Sequence, residues 1–185
     1  MLDVKTTRLD LFDNSSYSPG PWVKRFLWHI TNIIIFTSGV HISYGVKRSL
    51  LRLFGAKIGK GVIIKPRVNI KYPWLLRVGD HSWIGEGAWI DNIGEVNIGP
   101  NCCLSQGAML LCGNHNFTSS SFDLQIDKIT LEEGVWIGAK SIVCPGVTCY
   151  SHSVLSVSSV TSVDLKEYTI YRGNPAVEVK TRIIT

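Results

Sequence analysis

The sequence predicts an all-β solenoid built from hexapeptide repeats and preceded by a helical segment, on three observations. First, an aliphatic residue or a close stand-in recurs at steps of six: Ile58, Ile64, Ile70; Val78, Ile84, Ile90, Val96; Ile98, Leu104, Leu110; Leu131, Ile137, Val143, Cys149, Leu155, Thr161. Helices place apolar residues at steps of three and four and strands at steps of two, so a run of sixes marks short strands stacked as a repeat. Second, glycine follows the aliphatic residue at Gly59, Gly79, Gly85, Gly99 and Gly138, and recurs two positions later at Gly61, Gly87, Gly107, Gly134 and Gly146. The first set reads as tight or positive-φ corners, the second as sites where the chain turns closely against its neighbour. Third, Trp22 to Phe54 breaks from this pattern and carries bulky apolar residues with bases between them.

Taken in order, residues 1–21 mix Asp, Asn, Ser, Pro and Gly and read as an extended, poorly ordered arm. Residues 22–56 read as two helices joined by a short loop, with breaks at Ser38-Gly39 and Gly45. Lys24, Arg25, His29 and Asn32 interrupt the apolar run, which is too short to span a bilayer. Two roles fit this segment. It could cover the open end or one face of the solenoid, whose unpaired backbone would otherwise template aggregation. Alternatively it could lie in a membrane interface, with Trp22, Phe26 and Trp28 in lipid and Lys24, Arg25, Lys47, Arg48 and Arg52 on anionic head groups.

Residues 57–163 form the solenoid, three hexads to a triangular coil, and Gly55 closes the preceding helix. The register slips by two between Ile70 and Val78 and between Val96 and Ile98, which re-aims a corner without ending the stack. Pro73 belongs at the first slip because it cannot donate a ladder hydrogen bond, and Trp74 packs outside the column. The sixes stop between Leu110 and Leu131, where a polar, glycine-marked loop over about residues 112–128 is ejected from the stack. A tail over 164–185 leaves the column, with Gly173-Asn174-Pro175 marking a turn.

Composition narrows the function. A chain of 185 residues, 45% hydrophobic and 18% charged, suits one globular domain. The five cysteines include no CxxC pair and read as small core residues. Met1 to Asp13 has no apolar stretch of the secretory kind, which favours a reducing, cytoplasmic setting. The net charge of +5 points to an anionic partner. The bases are scattered and no stacking pattern accompanies them, so phosphates on a small cofactor or an anionic membrane surface fit better than nucleic acid.

Loops on rigid scaffolds are where chemistry concentrates, and the ejected loop carries Asn114-His115-Asn116. Histidine suits a general base because its ordinary pKa near 6.5 leaves a neutral fraction at physiological pH. His115 is the candidate. His29 and His41 fall in the helical region and His81 and His152 at repeat corners, where structural roles are expected.

The hexads, the single loop histidine, Val135-Trp136-Ile137-Gly138-Ala139-Lys140, Pro145-Gly146-Val147 and Gly173-Asn174-Pro175-Ala176 together closely resemble the hexapeptide-repeat acyltransferases. Over nearly the whole chain, including Leu51 to Gly59 and Ile84 to Asn92, the likeness is strongest to the colanic acid biosynthesis O-acetyltransferases. The resemblance implies a left-handed parallel β-helix and a homotrimer with its active site between subunits. It also implies acetyl-coenzyme A as donor, with no metal, and an exopolysaccharide sugar, lipid-linked in one version, as acceptor. By resemblance His115 is the base, the Ala139 N–H stabilises the oxyanion, and Trp136 flanks the donor. Asp91 and Asn92 fall where the relatives contact the acceptor, with Gln106, Asn114 and Asn116 assigned beside them; Trp136 and Ala139 fall to the cofactor groove, which Val157 narrows, and Lys166, Arg172, Lys180 or Arg182 stands in for the phosphate-binding lysine absent at Val163.

The sequence departs from these relatives in three places. A run that is usually glycine-rich reads Ser156-Val157-Ser158-Ser159, and a threonine-lysine pair reads Ser162-Val163. Asn116 stands where an aspartate that would orient the histidine is common. Two rival readings remain: a non-enzymatic β-helix scaffold, and a γ-type carbonic anhydrase, which needs three converging histidines where the sequence offers His81 and His115.

Overall fold

The computed structural model describes residues 6–185, and the first five residues of the expected arm lie outside them. The chain is a parallel β-solenoid of about six turns with an N-terminal helical segment. Coil one holds β1 (Lys57–Ile58), β2 (Ile63–Ile64) and β3 (Asn69–Ile70); coil two holds β4 (Leu76–Val78), β5 (Trp83–Ile84) and β6 (Trp89–Asp91). Coil three holds β7 (Val96–Ile98), β8 (Cys103–Leu104) and β9 (Met109–Leu111), after which β10 (Gly113–His115) and β11 (Leu124–Ile126) pair as an antiparallel hairpin. The stack resumes with β12 (Ile129–Leu131), β13 (Trp136–Ile137) and β14 (Ile142–Val143), then β15 (Thr148–Cys149), β16 (Val154–Leu155) and β17 (Val160–Thr161). Last come β18 (Thr169–Gly173) and β19 (Ala176–Thr181).

The first strand of every coil stacks into face A, the second into face B and the third into face C, all in parallel register. The step-of-six residues fill the axis: Ile64, Ile70, Ile84, Ile90, Leu104, Leu110, Ile137, Val143 and Leu155 are buried. Burying each such side chain contributes about 1.5–3 kcal/mol, which is why the interior tolerates nothing but aliphatic residues and small substitutes.

Several expectations are corrected. Positive φ belongs to the second glycine set, as at Gly134 with φ 67°, and not to the first. Gly138 of the first set is small because a Cβ there would lie 2.6 Å from the Val157 nitrogen of the next coil. The second slip lies at the corner Asn92–Glu95, since Val96 and Ile98 share one strand and one face. All three lengthened corners, Tyr72–Leu75, Asn92–Glu95 and the hairpin, therefore fall on the edge between faces C and A. Nor does the tail leave the column: β18 pairs in parallel with β16 and extends face B, and β19 folds back on it.

The helical segment caps the first coil. Helix α1 (Trp22–Thr31) runs into a π-helical turn (Asn32–Phe36), and α2 (Tyr44–Leu53) begins at Ser43, whose hydroxyl accepts from the Gly45 N–H. Gly45 is thus inside a helix and not a break, and His41 lies in the connecting loop. Carbonyls at the open end of the stack are met by side chains: Lys47 Nζ donates to Lys65 at 2.9 Å, Arg48 to Val62 at 2.8 Å, Arg52 to Ile58 at 2.8 Å and Trp28 Nε1 to Ile70 at 2.8 Å. Each such group left unpaired in a buried setting costs about 1–3 kcal/mol. Among the described residues no helix is long and apolar enough to cross a membrane.

Candidate active site

The hairpin β10–β11 springs from the C–A edge and carries His115 at the end of β10. His115 Nδ1 lies 2.8 Å from the Phe122 carbonyl oxygen, and the two rings stack at 4.3 Å with an angle of 6°. A carbonyl only accepts, so Nδ1 is the donor in this contact and, in the neutral ring, Nε2 carries the lone pair. Phe122 reaches this position with φ 53°, a left-handed conformation that turns its carbonyl back toward the ring. Asn116, at the position where resembling sequences commonly have an aspartate, makes no hydrogen bond to the His115 ring among the described residues. Asn116 itself holds the hairpin turn, its Oδ1 accepting from Thr118 N at 3.1 Å and from Thr118 Oγ1 at 2.6 Å. Asn114 is exposed, and its Oδ1 accepts the His115 N–H at 2.8 Å.

The arm expected to be poorly ordered instead crosses this edge. Arg8 N donates to Ser120 O at 2.7 Å, Tyr17 Oη to Ile93 O at 2.8 Å, and Trp74 Nε1 to Pro19 O at 2.9 Å. Phe12 then rests on His115 with ring centroids 5.5 Å apart. A cleft of about 440 Å³ opens between arm and column, lined by Phe12, Asn14, Tyr17, Asp91 and His115 among others. Asp91 lines this cleft together with His115. Lys71 Nζ lies 3.0 Å from Asp91 Oδ1, an ion contact off the angle of a hydrogen bond, so that oxygen keeps no hydrogen-bond donor among the described residues.

Two acceptor candidates lie elsewhere. Asn92 is wholly buried; its Oδ1 accepts from Lys71 N at 3.1 Å and Tyr72 N at 3.0 Å, and its Nδ2 donates to Tyr72 O. It shapes the corner of the preceding coil and cannot face a ligand. Gln106 lines a separate cavity with Lys65, Trp83 and Ser105 beside face B.

The cofactor candidates gather on the far side of the column. Trp136, Gly138, Ser156, Val157, Ile170 and Arg182 line a mainly apolar groove of about 450 Å³ on face B. Trp136 is 47% exposed and its indole N–H donates to Ser105 Oγ at 2.9 Å. Ala139 follows at the B–C corner; its carbonyl accepts from Ser158 N at 2.8 Å, and no hydrogen bond among the described residues uses its N–H. Arg172 and Lys180 are exposed on β18 and β19. Lys166 is paired with Glu178 at 3.1 Å, and Arg182 Nη1 donates to Gly134 O and His152 O. Face B lies opposite the C–A edge in a three-sided column, so one chain does not bring His115 to Trp136 or Ala139.

The remaining histidines are spread out. His81 packs over Gly61 at an A–B corner, His152 lies against Tyr168 with centroids 4.8 Å apart, and His29 is on α1. Among the described residues no group of three or more His, Cys, Asp or Glu side chains is placed to hold a metal ion. All five cysteines are free.

Comparison with known proteins adds three likenesses, while no family model matches the sequence. The chain is 37% identical over 166 residues to the putative colanic acid biosynthesis acetyltransferase WcaF of Escherichia coli K12, covering 90% of this chain and 91% of the relative. A hexapeptide-repeat-containing acetyltransferase of Vibrio cholerae, solved with acetyl-coenzyme A, superposes with a TM-score of 0.80 at 19% identity, over 88% of both chains. A maltose O-acetyltransferase of Clostridium difficile 630 superposes with a TM-score of 0.78 at 20% identity, again over 88% of both. At such identities the two structures speak to the fold alone.

Proposed function

The chain belongs to the hexapeptide-repeat acetyltransferases, in the family of the colanic acid biosynthesis enzymes, and from that premise we propose an O-acetyltransferase acting on a saccharide hydroxyl with acetyl-coenzyme A as donor. It is an acyltransferase. The observation that carries the finer reading is His115, whose tautomer is set by the Phe122 carbonyl and whose Nε2 is left free beside an acceptor-sized cleft.

In this mechanism both substrates bind before reaction. Asp91 accepts from sugar hydroxyls, and His115 Nε2 takes the proton of the reacting hydroxyl as its oxygen attacks the thioester carbonyl. The Ala139 N–H donates to the oxyanion of the tetrahedral intermediate; a single donor of this kind is worth on the order of 100-fold to 1000-fold in rate. Collapse expels the coenzyme A thiolate, which recovers the proton from the imidazolium. The apolar groove of Trp136 and Val157 suits the pantetheine arm, and Arg172 and Lys180 are the free bases for the phosphates.

Because His115 and Ala139 lie on different sides of one column, the site is completed by a second chain, in a homotrimer. The outer surfaces support this. Face A carries Lys57, Arg77, Asn97, Thr130 and Thr148 outward, whereas face B carries Ile63, Trp83, Cys103, Trp136, Val154 and Ile170, and face C carries Trp89, Met109, Ile142 and Val160 beyond Asn69, which is bonded to Asn32 of the helical segment. Two apolar faces and one polar face are what a closed ring of three columns requires. Free thiols in all five cysteines fit a reducing cytoplasmic setting. Trp28, expected in lipid from the sequence, is instead 2% exposed and its indole caps the first coil. Peripheral contact with the membrane rests on the exposed apolar side of α1, formed by Trp22, Phe26 and Ile30. Its expected cations are mostly engaged: Lys47, Arg48 and Arg52 cap the first coil and Lys24 lies 4.6 Å over Trp74, leaving Arg25.

The test is release of free thiol from acetyl-coenzyme A in the presence of candidate glycosides. Wild type should release thiol only with a competent acceptor, and His115→Ala should lose about 100-fold or more. An unchanged His115→Ala rate refutes the assignment.

A further inference from the structure

A second cavity, of about 320 Å³, lies between α1 and the lower coils and adjoins the His115 cleft. Arg25, His29 and Asn32 wall it from the helical side and Lys71, Tyr72 and Asp91 from the column, and the last three also line the His115 cleft. The cavity is thus a trough beside the His115 cleft, sharing Lys71, Tyr72 and Asp91 with it. Its charge is unbalanced. Asp91 is matched by Lys71 at 3.0 Å, while Arg25 and His29 have no ion pair or side-chain hydrogen bond among the described residues. A guanidinium presents planar paired donors suited to phosphoryl oxygens.

The floor is polar and incompletely satisfied. Asn32 is 8% exposed; its Nδ2 donates to Asn69 Oδ1 at 2.7 Å, but its own Oδ1 has no partner among the described residues. A buried amide oxygen without a donor costs free energy unless a ligand group or water supplies one. Elsewhere the cations near the helical segment are used to cap the first coil, so the free Arg25 and His29 stand out as groups the fold itself does not employ.

We propose that this trough is an anionic subsite of the acceptor site, taking a phosphoryl or diphosphoryl group carried by the saccharide while its hydroxyl reaches His115. The proposal rests on the reading of the His115 cleft as the acceptor site. It adds a place for the charged group of a nucleotide- or carrier-linked sugar, and the residues that hold it. Arg25 and His29 grip the phosphoryl oxygens from α1, and Lys71 is shared between that anion and Asp91.

The experiment titrates inorganic diphosphate into the full chain saturated with coenzyme A, which fills any phosphate locus in the cofactor groove. Binding should saturate and shift the imidazole resonances of His29, and Arg25→Gln should weaken it at least about tenfold. Lys60→Gln, an exposed corner base away from the trough, should leave it unchanged. Absence of saturable binding, or binding indifferent to Arg25→Gln, overturns the proposal. Competition then separates the sources. Displacement by uridine diphosphate supports a nucleotide-linked sugar; displacement by phosphatidylcholine vesicles containing farnesyl diphosphate supports a lipid-linked one; displacement by neither overturns the acceptor role. No step here requires acetyl transfer, so this subsite and the acetyltransferase reading can fail separately.

Discussion

His115 Nδ1 sits 2.8 Å from the carbonyl oxygen of Phe122 while the rings of the same two residues stack at 4.3 Å. One neighbour thus sets both the tautomer and the plane of the imidazole. Phe122 holds φ at 53°, a conformation that bulky residues adopt at a cost of about 1–2 kcal/mol.

Phe122→Gly keeps the carbonyl and relieves the backbone but removes the stacking ring. Thermal stability should change little, whereas kcat should fall about tenfold through looser placement of the base. Steady-state kinetics beside thermal unfolding checks this; a kcat equal to wild type would mean the ring does not hold the histidine.

Asn92 separates a structural from a substrate-binding role. With three hydrogen bonds to the main chain of Lys71 and Tyr72, Asn92→Ala should destabilise the fold by about 3 kcal/mol. Urea unfolding measures that loss. A variant of normal stability with a raised acceptor KM would return Asn92 to the binding site.

Burial pushes the thiols of Cys102 and Cys112 up to about 11, from an ordinary 9.0, and that of Cys149 higher still. In the unfolded chain these thiols ionise near their ordinary value, so between pH 9 and pH 11 the unfolded state binds fewer protons than the folded one. Stability must then fall as pH rises through that window. Urea midpoints at pH 8 and pH 10 should diverge more in wild type than in Cys102→Ala. Equal divergence would show that this thiol's burial does not govern the alkaline response.

The column was legible because its inward residues repeat at a spacing that no other element produces, and that spacing resumes after each lengthened corner between Ile58 and Thr161. The roles of the two glycine sets were not legible. Spacing marks both, and only the approach of Val157 to Gly138 distinguishes a steric requirement from a torsional one. His115 could be found from its place in the largest interruption of the repeat. Its orienting partner could not, since a main-chain carbonyl has no residue signature. The N-terminal arm read as loose because the contacts that order it, Tyr17 to Ile93 and Arg8 to Ser120, join residues far apart in sequence. Asn92 and Asp91 are adjacent polar residues at a strand end; burial alone tells them apart.

The account depends on one site being made by two chains, and hybrid oligomers test that most directly. His115→Ala removes the base, and Val157→Trp fills the groove at a side chain that is 63% exposed; each variant alone should be inactive. Co-expressed one to one, they should regain about a quarter of wild-type activity, because each interface of a closed trimer then draws its two halves independently. No recovery in verified hybrid trimers would place both halves in a single chain and contradict the account.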